Sequence, residues 1–142
     1  MRTYFDSSAL LAAFVEEEEH HASATAALLD AADSFTCNHA LAEIYGTLTS
    51  GRLDIQLIPR QAREMIEANV LDRLEVLELS VNDYRKAMVA GEAVGARGGA
   101  IFDMLHLQAA RRGNARKIFT INVRHFQVFA PDLREIISLP DS

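Results

Sequence analysis

The sequence predicts an α/β fold: one domain over residues 1–142, built on a central parallel β-sheet with helices on both faces. Three observations carry this. Four short apolar runs of strand length alternate with longer helical stretches, the pattern of a parallel sheet with helical crossovers. The chain has 142 residues, 49% of them hydrophobic and 24% charged, which suits one ordinary globular domain with a real core. The first strand ends on a carboxylate, Asp6, at a strand-to-helix turn, where open α/β sheets place their chemistry.

Residues 2–6 form the first strand, and residues 7–15 a helix with Leu10, Leu11 and Phe14 on one face. Glu16, Glu17, Glu18 and Glu19 follow. Adjacent acids on a helix point in different directions, so this run reads as a solvated helix start favoured by the dipole and not as a metal site. Residues 20–33 are an alanine-rich helix and residues 34–37 a second strand, with Cys37 a small buried hydrophobe at its end. Asn38 is the expected N-cap of a helix to Ser50, stopped by Gly51. Residues 52–58 connect to a helix opened by Pro59 and running to Arg73. Residues 75–79 alternate as a third strand. Ser80 or Asn82 caps a helix to Val94, and residues 95–99 are a glycine-rich break containing Arg97. Residues 100–112 are helical and stop at Gly113 and Asn114. Residues 117–121 form a fourth strand, residues 122–126 a short turn or helix, and residues 136–139 a small edge strand. Each crossover is expected to be right-handed.

No apolar run approaches the roughly 20 residues of a membrane span, and the N-terminus lacks signal-peptide features. With one cysteine, no internal disulfide is possible, and a cytoplasmic setting is expected. The net charge of −6 is unevenly spread. Between Thr3 and Gly51 there is no Lys or Arg. Between Gly95 and Pro131, Arg97, Arg111, Arg112, Arg116, Lys117 and Arg124 are opposed only by Asp103. A polyanion can meet the basic end.

Two acids interrupt otherwise apolar helical runs, Glu43 and Asp103. A buried carboxylate is costly unless paired or bound to a cation. Asp103 falls near a helix start, where the dipole favours it. With Asp6 they form a set of hard oxygen donors suited to Mg2+ or Mn2+. The spacings His39–Glu43 and Asp103–His106 also allow mixed nitrogen–oxygen ligation, but His106 lies beside leucines and reads as a packed or boundary residue. His125 reads as packed too, and Tyr45, Phe102, Phe119 and Phe126 as core.

Tyr-Phe-Asp6-Ser-Ser-Ala-Leu-Leu, Leu-Ala-Glu43-Ile-Tyr, Phe-Asp103-Met-Leu-His-Leu-Gln-Ala-Ala and Thr120-Ile-Asn-Val-Arg-His-Phe126, in that order, resemble the PIN-domain family, within it the VapC-type toxin ribonucleases. The resemblance implies a magnesium-dependent (or manganese-dependent) endoribonuclease, a homodimer, and a cognate VapB-type antitoxin as partner. It gives Asp6, Glu43 and Asp103 the catalytic, metal-holding roles. Relatives often carry a fourth acid where this chain has Asn122 or His125. Asn122 is then a fourth-position candidate through its carbonyl oxygen, and Ser8 and Thr120 are candidates to support the carboxylates by hydrogen bonds. Arg97, Arg112, Arg116 and Arg124 are the candidates for the RNA backbone. The apolar and acidic residues of the first two helices, Leu10, Leu11, Phe14 and residues 16–19, are the expected docking face for a basic antitoxin segment.

Overall fold

The computed structural model describes residues 1–52 and 56–140. The middle of the expected connection over residues 52–58 lies outside the described residues. Five parallel strands, β1 (Arg2–Phe5), β2 (Asp33–Cys37), β3 (Glu75–Leu77), β4 (Lys117–Phe119) and β5 (Ile137–Ser138), stand in the order β3-β2-β1-β4-β5. Thr3 is level with Ser34 on one side and Lys117 on the other. The chain builds outward from β1 to β3, then crosses back to lay β4 and β5 on the other side. The strand order therefore reverses between β1 and β4. Open α/β sheets bind ligands at such a point, beyond the carboxyl ends of the strands.

The helices are α1 (Ser7–Phe14), α2 (His21–Asp30), α3 (Asn38–Ser50), α4 (Pro59–Ile66), α5 (Val81–Val94), α6 (Ala100–Arg112) and α7 (Val123–Phe129). The core they close over the sheet includes Tyr4, Phe5, Phe35, Ile44, Leu48, Leu105, Leu107, Ile118 and Phe126, all buried. No helix among the described residues is long and apolar enough to cross a membrane.

Where the elements depart from expectation, the causes are local. Residues 16–20 form a turn and α2 starts only at His21, so the glutamates precede the helix without opening it. Asn38 does not cap α3. Its Oδ1 accepts from the backbone N–H of Leu79 at 3.0 Å, and the same bond draws the chain out of β3 after Leu77. Past Ile66 the ladder of α4 loosens into a π turn, Glu67–Leu71, beside the Asn69 amide, which donates to the Met65 carbonyl at 3.0 Å. Ser80, and not Asn82, caps α5 through a reciprocal pair: Asp83 N–H to Ser80 Oγ at 3.2 Å and Ser80 N–H to Asp83 Oδ2 at 2.8 Å.

Candidate active site

Asp6 is the residue on which β1 ends and α1 begins. Its backbone is extended, and its Oδ1 accepts from Ala9 N–H at 2.8 Å as the helix N-cap. Ser8 Oγ donates to the same oxygen at 2.7 Å, and Thr120, just past β4, donates to Oδ2 at 2.6 Å. Ser8 Oγ in turn accepts from Ile121 N–H at 2.9 Å, and Thr120 Oγ1 from Asn122 N–H at 3.0 Å. The two sides of the switch point are thus stitched together around one carboxylate, which is 2% exposed. Burial pushes its pKa up, while the charge of His106 and the bonds from Thr120, Ala9 and Ser8 pull it back.

Asp103 lies in the first turn of α6, half-buried. Among the described residues its side chain makes no hydrogen bond or ion pair. Burial first, then the charges of Asp6 and Glu43, push its carboxyl up; His106 and His125 oppose them. Asp6 and Glu43 are therefore both close enough to Asp103 to repel it, and among the described residues no Lys or Arg pairs with any of the three. Glu43, on α3, leans on histidines instead. Its Oε1 accepts from His106 Nε2 at 2.7 Å and lies 3.8 Å from His39 Nε2.

That set was only partly legible in the sequence. His106 is not merely packed: it is fully buried and bonded at both ring nitrogens, with Tyr4 Oη 2.5 Å from Nδ1. Burial works against its charge, but Cys37, Glu43 and Asp6 outweigh it and hold its pKa well above the usual histidine range. The Asp103–His106 spacing was the signal for it. His125 is exposed and not packed, and Asn122 is also exposed. Phe119 and Phe126 are core, but Tyr45 and Phe102 are 39% and 43% exposed. Phe102 stacks on His39 with centroids 5.2 Å apart and planes 12° from parallel.

The arginines divide. Arg97, in the turn that enters α6, and Arg124, in the first turn of α7, are exposed at the end of the molecule where Asp6 and Asp103 lie. The structure takes Arg112 and Arg116 away from it. Arg116 precedes β4 at the opposite sheet edge, its N–H bonded to the Arg2 carbonyl at 2.8 Å. Arg112 ends α6, roughly 13 Å along the helix axis from Asp103, and is tied to the Glu78 carbonyl at 2.7 Å and to buried Asp83. It braces α6 against the cap of α5. Against desolvation, bonds from Ser80, Gln108 and Arg112 hold Asp83 down at about 2. An acid depressed from 3.8 contributes stability that is full above 3.8 and lost as pH falls through about 2. Arg112→Ala is expected to cost about 2 kcal/mol in urea unfolding and to lose stability at a higher pH on acidification. The expected antitoxin face also changes: Leu10 is fully buried, and Leu11 and Phe14 pack against the core.

The donor chemistry fits a divalent cation: three carboxylates that no Lys or Arg pairs among the described residues, one of them pushed by the charges of the other two and free of side-chain hydrogen bonds. Among the described residues they are not drawn into a finished cage, since no three His, Cys, Asp or Glu side chains stand close enough together to hold a metal ion.

Fold and site define a parallel α/β domain with a carboxylate-lined edge at its topological switch point. The chain matches the PIN domain model over residues 3–130 and belongs to that family. No curated protein sequence matches it. Among solved structures it is similar to the toxin VapC20 of Mycobacterium tuberculosis, described as cleaving the sarcin-ricin loop, with a TM-score of 0.72 and 14% identity over 92% of this chain and 94% of that one. It is also similar to VapBC2 of Rickettsia felis, solved bound to a DNA fragment from its promoter, with a TM-score of 0.64 and 18% identity over 89% of this chain and 92% of that one.

Proposed function

We propose that this PIN domain is a magnesium- or manganese-dependent endoribonuclease, the toxin of a VapBC-type pair. One observation carries the reading: at the switch-point edge Asp103 feels the charges of both Asp6 and Glu43, and among the described residues none of the three has a Lys or Arg partner. Family membership and the likeness to VapC20 and VapBC2 support it. The three acids would hold the ion. The chemistry it supplies when bound is charge neutralisation at a phosphate oxygen and acidification of a water.

The chain's own residues do the rest. Ser8, Thr120 and the Ala9 N–H fix Asp6, so its carboxylate is pre-oriented. Asp103, unbonded and raised in pKa, is the acid free to turn toward a cation or orient an attacking water. Arg97 and Arg124 meet the RNA backbone. The exposed face of Phe102, backed by His39, offers a base a stacking surface beside the acids. Phe102→Ala is expected to weaken RNA binding about tenfold, in line with the roughly 1–3 kcal/mol of one base stack. Fluorescence anisotropy with a labelled RNA checks this. With Asn122 and His125 in the fourth position, three acids remain, which suits one ion.

Incubation with a structured RNA tests the reading. Cleavage in Mg2+ or Mn2+ that EDTA stops, together with growth arrest on induced expression, supports it. A co-expressed VapB-type protein is expected to co-purify with the chain and relieve the arrest, and the protein is expected to run as a homodimer. A second reading, a PIN-like binding module with weak or no catalysis, is favoured by the Glu43–His106 bond, which already occupies one carboxylate oxygen. RNA binding without cleavage in any divalent ion would select it.

A further inference from the structure

We propose that His106 is a positioning residue for the carboxylate site: it grips Glu43 from the protein interior and fixes which way that carboxylate faces. This rests on the metal-dependent reading above and deepens it.

His106 is 1% exposed and sits on α6 one helical turn beyond Asp103. A carboxylate only accepts hydrogen bonds, so Nε2, 2.7 Å from Glu43 Oε1, carries a proton whether the ring is neutral or charged. The other nitrogen, Nδ1, lies 2.5 Å from the Tyr4 hydroxyl. That hydroxyl has one proton. It goes to Nδ1 when that nitrogen is bare, or to Cys37 Sγ, 3.3 Å away, when Nδ1 donates. Either way the ring is held from both ends. Tyr4 is itself immobile, fully buried and packed edge-on against Phe35 with centroids 5.1 Å apart.

Packing does not require a histidine here. The neighbours on α6 are Leu105 and Leu107, and an apolar side chain of similar volume would fill the space without the cost of burying a polar ring. What the histidine adds is a donor aimed at Glu43. Ser7 Oγ, 3.4 Å from Nε2, can accept only a minor share of the same proton, which leaves Glu43 at 2.7 Å the principal acceptor. Since Asp103 and His106 share α6, one helix carries one site carboxylate and orients another.

Two conservative variants separate the ring's two nitrogens. The amide nitrogen of glutamine falls near Nε2 and that of asparagine near Nδ1. His106→Gln therefore keeps a donor for Glu43, and His106→Asn keeps a polar group at Tyr4 while losing Glu43. Calorimetry with Mn2+ alone is expected to show about tenfold weaker binding for His106→Asn, the usual loss for a ligand's supporting partner, and binding within about threefold of wild type for His106→Gln. In a Glu43→Gln background, adding His106→Asn is expected to cause no further loss, because the effect passes through Glu43. Equal weakening by both variants, or a milder effect for asparagine, would overturn the proposal. Should His106→Asn fail to fold, Tyr4→Phe loosens the same ring, and wild-type Mn2+ affinity there overturns it equally. Wild-type protein that binds no Mn2+ sinks the metal-dependent reading and this one with it. A wild type that binds, beside His106 variants that bind alike, removes this inference alone.

Discussion

Asp103→Asn is expected to make the metal-free protein more heat-stable and to cut cleavage steeply. The wild-type carboxyl is partly buried, pushed up by its desolvation and by Asp6 and Glu43, and offset by no hydrogen bond. Replacing it with a neutral isostere removes that repulsion, so the metal-free Tm should rise by a few degrees. The same change removes the only acid of the three that no hydrogen bond holds. RNA cleavage should fall by about 10³-fold, equivalent to roughly 4 kcal/mol of barrier. Thermal melts in EDTA and a single-turnover cleavage assay read the two effects. Stability gained as activity is lost marks a site built against the fold's own preference. A lowered Tm with full activity would make Asp103 an ordinary surface acid.

The second large effect is at Asp6, where structure and chemistry coincide. Asp6→Ala removes the N-cap of α1, about 1 kcal/mol by itself. It also strands the buried Thr120 hydroxyl, worth about 1–3 kcal/mol if left unpaired. A total near 3 kcal/mol is expected in urea unfolding, together with loss of cleavage. Asp6→Asn divides the two roles. Its amide oxygen still accepts from Ala9 and Ser8, and Thr120 Oγ1 can accept from its NH2, so the fold should lose under about 1 kcal/mol. Cleavage should fall as far as in the alanine variant. If Asp6→Asn cleaves like wild type, the carboxylate is a helix cap and nothing more.

The strands and helices were legible because their signals are local: period, length, and glycine or proline at the ends. The place of Asp6 was legible too, since a lone acid closes an apolar strand just before two serines and a helix. What escaped the sequence was fixed by partners distant along the chain. Asn38 looks like a cap until Leu79 claims its side chain. Arg112 looks like a phosphate contact until Asp83 and Glu78 are seen beside it. His106 looks like filler among leucines, because Tyr4 and Glu43, which give it a purpose, come from a strand and another helix. Phe102 was misplaced because Ile101, Phe102, Met104 and Leu105 put apolar residues on more than one side of the first turns of α6, and only the fold decides which side stays open.

An anomalous difference map from crystals soaked in Mn2+ addresses the carboxylate edge most directly. One peak is expected, bounded by oxygens of Asp6, Asp103 and Glu43, and absent from Asp103→Asn crystals. A map with no peak there, or with the ion seated elsewhere on the chain, would contradict it.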